Sequence, residues 1–145
     1  KLTEPTFLPR TREEADKVAA QVLKPSTSKD MRFLFDWNGI NGSGRNARVA
    51  GFDVGGKTGT ADKVVNGRYA HDKNFNEFLA AFPMDNPQYV VLTFSDEPKT
   101  DKGNGAALAA TSAAPMVKEI ISRAAPILGV KPKFGNDGSA LLVSY

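Results

Sequence analysis

Two β-rich runs joined by a tight turn constrain this chain more than any other feature. Residues 89–95 read Tyr-Val-Val-Leu-Thr-Phe-Ser, and residues 75–82 carry Phe78, Ala80 and Phe82 on alternate positions. β-Branched and aromatic residues at a period of two suit a strand with one buried face. A short connection around Asp85-Asn86-Pro87 separates the runs. That is too little chain for a crossover, so the two strands must pair antiparallel. Upstream, Asn66-Gly67 signals another tight turn. It follows a glycine-rich run with apolar and β-branched residues, Gly51 to Ala61, which supplies a third strand.

Helices flank this sheet. Thr11 can cap a helix start, with Glu14 at the reciprocal capping-box position. Ala15, Val18, Ala19 and Val22 make its apolar stripe, and Lys24 before Pro25 predicts its stop. A second helix is predicted over 28–37, with Met31, Leu34 and Phe35 toward the core and Gly39 ending it. Residues 38–46, with three glycines, read as a loop. After a polar loop over 98–105, a helix is predicted over 114–125. Met116, Val117, Ile120, Ile121 and Ala124 recur at helical spacing, and Pro115 suits the first turn. Gly129 and Pro132 close it, and 135–145 form a tail of unassigned structure. The pattern is α+β: helices, three antiparallel strands, then a helix covering one sheet face. Residues 1–145 read as a single partial domain.

Composition excludes several classes of function. A chain of 145 residues, 41% hydrophobic and 24% charged, can bury one core and is not a disordered tail. The net charge of +3 comes from scattered basic residues, with no basic stripe interleaved with aromatics, so no nucleic-acid partner is expected. The absence of Cys excludes disulfides and thiolate chemistry, and His71 is the only histidine. No metal or other cofactor is expected. Asp62, Asp72 and Asp101 are too scattered to read as a catalytic carboxylate pair, and Trp37 reads as a packed aromatic. No apolar run approaches the ~20 residues of a membrane span. The chain starts without Met or a signal peptide, and is expected to be a piece of something longer.

One motif misleads. Gly51 through Thr58 fits the phosphate-loop expression G-x-x-x-x-G-K-[ST] letter for letter. A phosphate loop needs an apolar strand before it and a helix after it, whose N-terminus holds the phosphates. Residues 46–50 are too polar and short for a buried strand. After Thr58, Gly59, several β-branched residues and the Asn66-Gly67 turn disfavour a helix.

Lys57 to Thr60 carry a different chemistry. A lysine in a glycine-flanked strand is a long-reach cation that can hold an anion. Gly56 and Gly59 would let a ligand lie against the backbone. The hydroxyls of Thr58 and Thr60 can bind a carboxylate, and an edge N–H can face a developing oxyanion. The set suits an extended peptide ending in a carboxylate, added to a sheet edge. From chemistry alone, a surface turn with a solvated Lys57 explains these residues equally well.

Lys57-Thr58-Gly59 resembles the third motif of penicillin-binding proteins and serine β-lactamases. The longer Gly56-Lys57-Thr58-Gly59-Thr60-Ala61 resembles the class B high-molecular-weight penicillin-binding proteins. Pro5-Thr6, Met31-Arg32, the segment 78–83, Asn86-Pro87-Gln88-Tyr89-Val90-Val91, Asp96-Glu97-Pro98 and the run 114–120 resemble further family segments in order. The resemblance covers roughly Pro5 to Pro132. It implies the C-terminal portion of the serine β-lactamase/penicillin-binding transpeptidase fold, and a peptidoglycan D,D-transpeptidase working through an acyl-serine. In that reading Lys57 positions substrate and supports proton transfer, while Thr58, Gly59 and Thr60 line the substrate site. The threonine hydroxyls bind the carboxylate of a stem peptide or a β-lactam, and the Thr60 N–H supplies half of an oxyanion hole. The resemblance also implies the periplasmic face of the bacterial inner membrane, with the anchor upstream of Lys1.

The nucleophile is the main departure. The family uses S-x-x-K and S-x-N. Ser26-Thr27-Ser28-Lys29 matches the first in letters but sits just before the third motif, and it reads as loop and cap residues. Ser43-Gly44-Arg45-Asn46 has the wrong spacing for the second. Both motifs are expected before Lys1. The alternative reading is a non-catalytic binding or structural module that kept the fold. In the resembling fold the free side of 89–95 pairs with a strand from before the nucleophile. This chain is therefore expected to meet its own upstream part, or a second copy, through an open sheet edge. Leu141-Leu142-Val143 folding back is the alternative cover. The isolated chain should show no covalent β-lactam adduct by intact-mass analysis; an adduct on Ser26, Ser43 or Ser95 would overturn this reading.

Overall fold

The computed structural model describes residues 1–100 and 107–134. Asp101 and the tail with Leu141, Leu142 and Val143 lie outside the described residues. The elements are α1 (Arg12–Val18), α2 (Pro25–Asn41), a 3₁₀ turn (Arg45–Ala47), β1 (Gly55–Val65), β2 (Arg68–Phe82), β3 (Tyr89–Asp96) and α3 (Ala113–Ile127). The strands form one antiparallel sheet in the order β1-β2-β3. No helix among the described residues is long and apolar enough to cross a membrane.

Turn chemistry sets the register. Asn66 and Gly67 both take left-handed φ values, 50° and 76°. That pair is the two-residue hairpin turn whose twist matches a right-twisted sheet. β2 starts at Arg68, earlier than the sequence predicts, because 68–74 is polar and held by pairing with β1 rather than by burial. His71 therefore lies on β2, with Nδ1 2.5 Å from Asp62 Oδ2. The register slips between Asp62 and Lys63, and Lys63 Nζ reaches across to Asp96 (2.8 Å) and Glu97 (2.9 Å).

One sheet face is buried under α3. Phe78, Ala80 and Phe82 meet Val117, Ile121 and Ala125 in the core. Thr93 Oγ1 donates to the Ala113 carbonyl at 2.9 Å, pinning the start of α3 to β3. Of the predicted helical stripe, Val117 and Ile121 are buried, while Met116 and Ile120 are exposed. The contact stripe runs along 113, 117, 121 and 125, one residue off theirs, and its alanines admit close approach. Gly129, at φ 73°, closes the helix as predicted. The opposite sheet face is apolar and open among the described residues: Phe75, Leu79, Val90, Leu92 and Phe94 are all exposed. β3 pairs with β2 alone among the described residues, so its other edge is open as expected.

The N-terminal helices differ most from expectation. α1 keeps its capping box: the Glu14 N–H donates to Thr11 Oγ1 at 3.2 Å, and the Thr11 N–H to Glu14 Oε2 at 2.8 Å. It ends at Val18, because Ala20 and Leu2 then exchange backbone bonds of 2.8 and 2.9 Å. Pro25 does not mark a stop; it opens α2 at a first-turn position, where a missing N–H is harmless. Ser26 to Lys29 are therefore first-turn helical residues rather than loop. Met31 and Leu34 are exposed, while Phe35 is half-buried. Gly39 does not end α2 but lies buried within it. A Cβ there would sit 2.4 Å from the Val54 carbonyl oxygen. The glycine serves helix-to-strand approach. Gly39→Ala should push α2 off β1 and cost about 1–3 kcal/mol, as overpacking does. A lower denaturation midpoint with unchanged m-value checks this.

Candidate active site

Lys57, Thr58, Gly59 and Thr60 all lie on β1, an outer strand. The chain runs on as strand through Val65, and a 3₁₀ turn rather than a strand precedes it, so the phosphate-loop geometry is absent. Lys57 and Gly59 pair opposite Leu79 and Glu77, on the open face. Thr58 and Thr60 pair opposite Phe78 and Asn76, on the α3 face. The Gly56 carbonyl accepts from Asn38 Nδ2 at 2.8 Å, from outside the sheet. Strand alternation then turns the backbone N–H and C=O of Thr58 and Thr60 to the same outer side.

A polar network wraps this edge. Lys57 Nζ donates to the Thr58 carbonyl at 2.8 Å and to Thr58 Oγ1 at 3.1 Å. Thr58 Oγ1 lies 3.0 Å from Ser43 Oγ. The Ser43 N–H donates to Asn38 Oδ1 at 3.2 Å, and Ser43 Oγ lies 3.4 Å from the same atom. Gly42 and Gly44 leave the space Asn38 occupies: a Cβ on Gly42 would lie 2.1 Å from Asn38 Oδ1. The sequence pattern puts both Asn38 and Ser43 in a loop, whereas Asn38 sits on α2. Their only signal was the glycine spacing around them.

Thr60 has its own support. Its Oγ1 accepts from the Ala109 N–H at 3.4 Å. Residues 107–112 are held in turn by Asn76, fully buried on the core face of β2. Asn76 Nδ2 donates to the Ala107 carbonyl at 2.6 Å and to Ser112 Oγ at 2.9 Å. Both bonds come from its Nδ2, while its Oδ1 has no hydrogen-bond partner among the described residues. The glycines behave differently from each other. A Cβ on Gly56 would sit 2.3 Å from the Leu79 carbonyl, so Gly56 serves strand packing rather than ligand access. Over Gly59 lies the flexible Glu77 side chain, 2.6 Å from where a Cβ would be.

The site keeps a cation without a carboxylate. Among the described residues Lys57 makes no ion pair, whereas Lys63 is held by Asp96 and Glu97, and Lys133 by Asp85 and Asp53. Hydrogen bonds donated to Asp96 and then to Glu97 raise the Lys63 pKa, and one to Asp85 raises that of Lys133. Ser26 lies on α2 twelve residues before Asn38, about 18 Å at the ~1.5 Å helical rise. Trp37 is exposed on α2 and stacks on Phe33, with centroids 6.1 Å apart.

Residues 1–122 match the model of the penicillin binding protein transpeptidase domain. This chain belongs to that family. It is 42% identical over 113 residues to Stage V sporulation protein D of Bacillus subtilis, covering 78% of this chain and 17% of that protein. It is 41% identical over 113 residues to the probable peptidoglycan D,D-transpeptidase PenA of Neisseria flavescens, covering 77% of this chain and 27% of the other. The apo transpeptidase domain of Burkholderia pseudomallei penicillin-binding protein 3 superposes with a TM-score of 0.70 at 31% identity, over 81% of this chain and 35% of that one. The three-stranded sheet and its helices are thus a portion of the transpeptidase fold. The chain spans about a quarter or less of these curated relatives.

Within this family member, Asn38 is the link between α2 and the Lys57 strand. Asn38→Ala should leave the Gly56 carbonyl without its donor and the Ser43 amide without its acceptor. The Ser43 amide should exchange its hydrogen about tenfold faster, in line with the loss of one net hydrogen bond. Unchanged Ser43 protection in hydrogen-exchange measurements would show that Asn38 does not hold the edge.

Proposed function

We propose that this chain is the substrate-holding part of a peptidoglycan D,D-transpeptidase, and that its β1 edge binds the carboxylate end of the acyl donor. One observation carries the reading: an outer strand presents an ammonium and two threonine hydroxyls, with no carboxylate on that ammonium among the described residues. Such an edge attracts an anionic extended peptide by charge and can pair with its backbone. In this reading Lys57 holds the donor near the nucleophile and supports proton transfer. Thr58 and Thr60 donate to the carboxylate, and Gly59 keeps the strand flat beside it. The outward Thr60 N–H stabilises the tetrahedral oxyanion.

The nucleophilic serine comes from the upstream part of the same protein. Its oxygen attacks the penultimate D-Ala carbonyl of a stem peptide and the terminal D-Ala leaves with a proton. An amine of a second stem peptide then takes the acyl group, giving a crosslink on the periplasmic face of the inner membrane. A β-lactam carries a similar carboxylate beside its strained amide and acylates the same serine. The upstream part also covers the open face around Leu79 and Leu92 and pairs with the free edge of β3; without it, that edge recruits a second copy.

The test uses the full-length protein and a labelled β-lactam. The unmodified protein should form a covalent adduct, and Lys57→Ala should slow acylation about 100-fold, the range for losing one preorganised polar group. An unlabelled parent would favour a non-catalytic module with the same fold. Equal rates for Lys57→Ala and the unmodified protein would remove Lys57 from the site.

A further inference from the structure

The hydroxyl next to Lys57 does not stand alone. Four polar groups form one chain, Lys57 Nζ, Thr58 Oγ1, Ser43 Oγ and Asn38 Oδ1, at steps of 3.1, 3.0 and 3.4 Å. The donor direction along it can be worked out. The Asn38 amide is fixed because its Nδ2 must donate to the Gly56 carbonyl and its Oδ1 must accept from the Ser43 N–H. Asn38 Oδ1 can therefore only accept from the Ser43 hydroxyl. Lys57 can only donate, so Thr58 Oγ1 accepts from it. Every proton is used when Thr58 O–H donates to Ser43 and Ser43 O–H donates to Asn38.

A second arrangement exists with the same heavy atoms. If the Ser43 O–H turns from Asn38 Oδ1 to Thr58 Oγ1, it gives up the longer contact and keeps the 3.0 Å one. The Thr58 O–H is then released to point elsewhere. Without a ligand this leaves a donor unused, so the first arrangement is preferred. With an anion at the edge, the freed O–H gains a charge-assisted bond, which outweighs a long neutral one. Each proton stays on its own oxygen; only two C–O torsions change.

We propose that Ser43 is a positioning residue that sets the direction of the Thr58 hydroxyl through this relay, so that Thr58 turns to donate when a carboxylate enters the β1 edge. Ser43 itself touches no substrate. The inference rests on the reading that Thr58 binds the carboxylate. In its absence Thr58 would keep a free rotor, and its O–H would find competing acceptors, including its own backbone.

The experiment compares a β-lactam carboxylate with its methyl ester on the full-length protein. The second-order acylation rate is measured for each. Ser43→Ala should slow the acid about tenfold and leave the ester unchanged, the loss expected for one oriented hydrogen bond to a charged group. Ser43→Thr, which keeps the hydroxyl, should restore the acid-to-ester ratio. A damaged fold would slow both reagents alike, so equal slowing overturns the relay, as does no slowing. Thr58→Val separates the two levels of the claim. If Thr58→Val leaves the acid-to-ester ratio intact, the carboxylate reading itself fails. If Thr58→Val lowers the ratio and Ser43→Ala does not, only the relay fails.

Discussion

The approach of α2 to the start of β1 organises the rest of the site. A helix can come this close to a strand only where a side chain is missing, and Gly39 supplies the gap against the Val54 carbonyl. One residue earlier on α2, Asn38 is thereby brought within bonding distance of the Gly56 carbonyl. The next turn of chain wraps Asn38, and Ser43 arrives beside Thr58. A single steric permission thus places two polar residues, Asn38 and Ser43, at the outer edge beside Lys57 and Thr58.

An edge strand that binds a ligand has opposing requirements. It must be rigid enough to hold its groups in place, yet one row of N–H and C=O groups must stay unpaired. β1 meets both. β2 pairs along its inner side over the full length of the motif. Asn38 ties down one outer carbonyl at Gly56, and residues 107–112, anchored by buried Asn76, support Thr60. Between these supports the Thr58 carbonyl accepts from Lys57, while the outward N–H groups of Thr58 and Thr60 stay available among the described residues. The core under α3 supplies the stiffness, because Phe78 and Phe82 fix β2 against Val117 and Ile121.

The same sheet is one-sided. Its α3 face is a packed core, while Phe75, Leu79, Val90, Leu92 and Phe94 lie exposed on the other. An apolar area of this kind on an isolated chain is a surface awaiting a cover. α1 repeats the theme: its capping box is complete, yet Val18 stays exposed. Local signals are satisfied there, while these apolar side chains stay exposed.

Much of this was legible in residue order. Period-two apolar positions gave the strands and the buried face of β2, Asn66-Gly67 gave the hairpin, and Thr11 with Glu14 gave the first helix start. These signals are local, so they survive without knowledge of the fold. The errors share a cause as well. Gly39 reads locally as a helix end and Pro25 as a stop, but a contact and a first-turn position override those local meanings. Spacing puts Met31 and Leu34 toward the core, but it marks a helix face and not the element that covers it. By itself the sequence determined that a lysine and two threonines stand on a glycine-flanked strand beside a hairpin. Only the tertiary structure decided that Asn38 and Ser43 join them. Hydrogen bonds between residues fifteen or eighteen positions apart depend on how closely two backbones pack, and no local pattern encodes that distance.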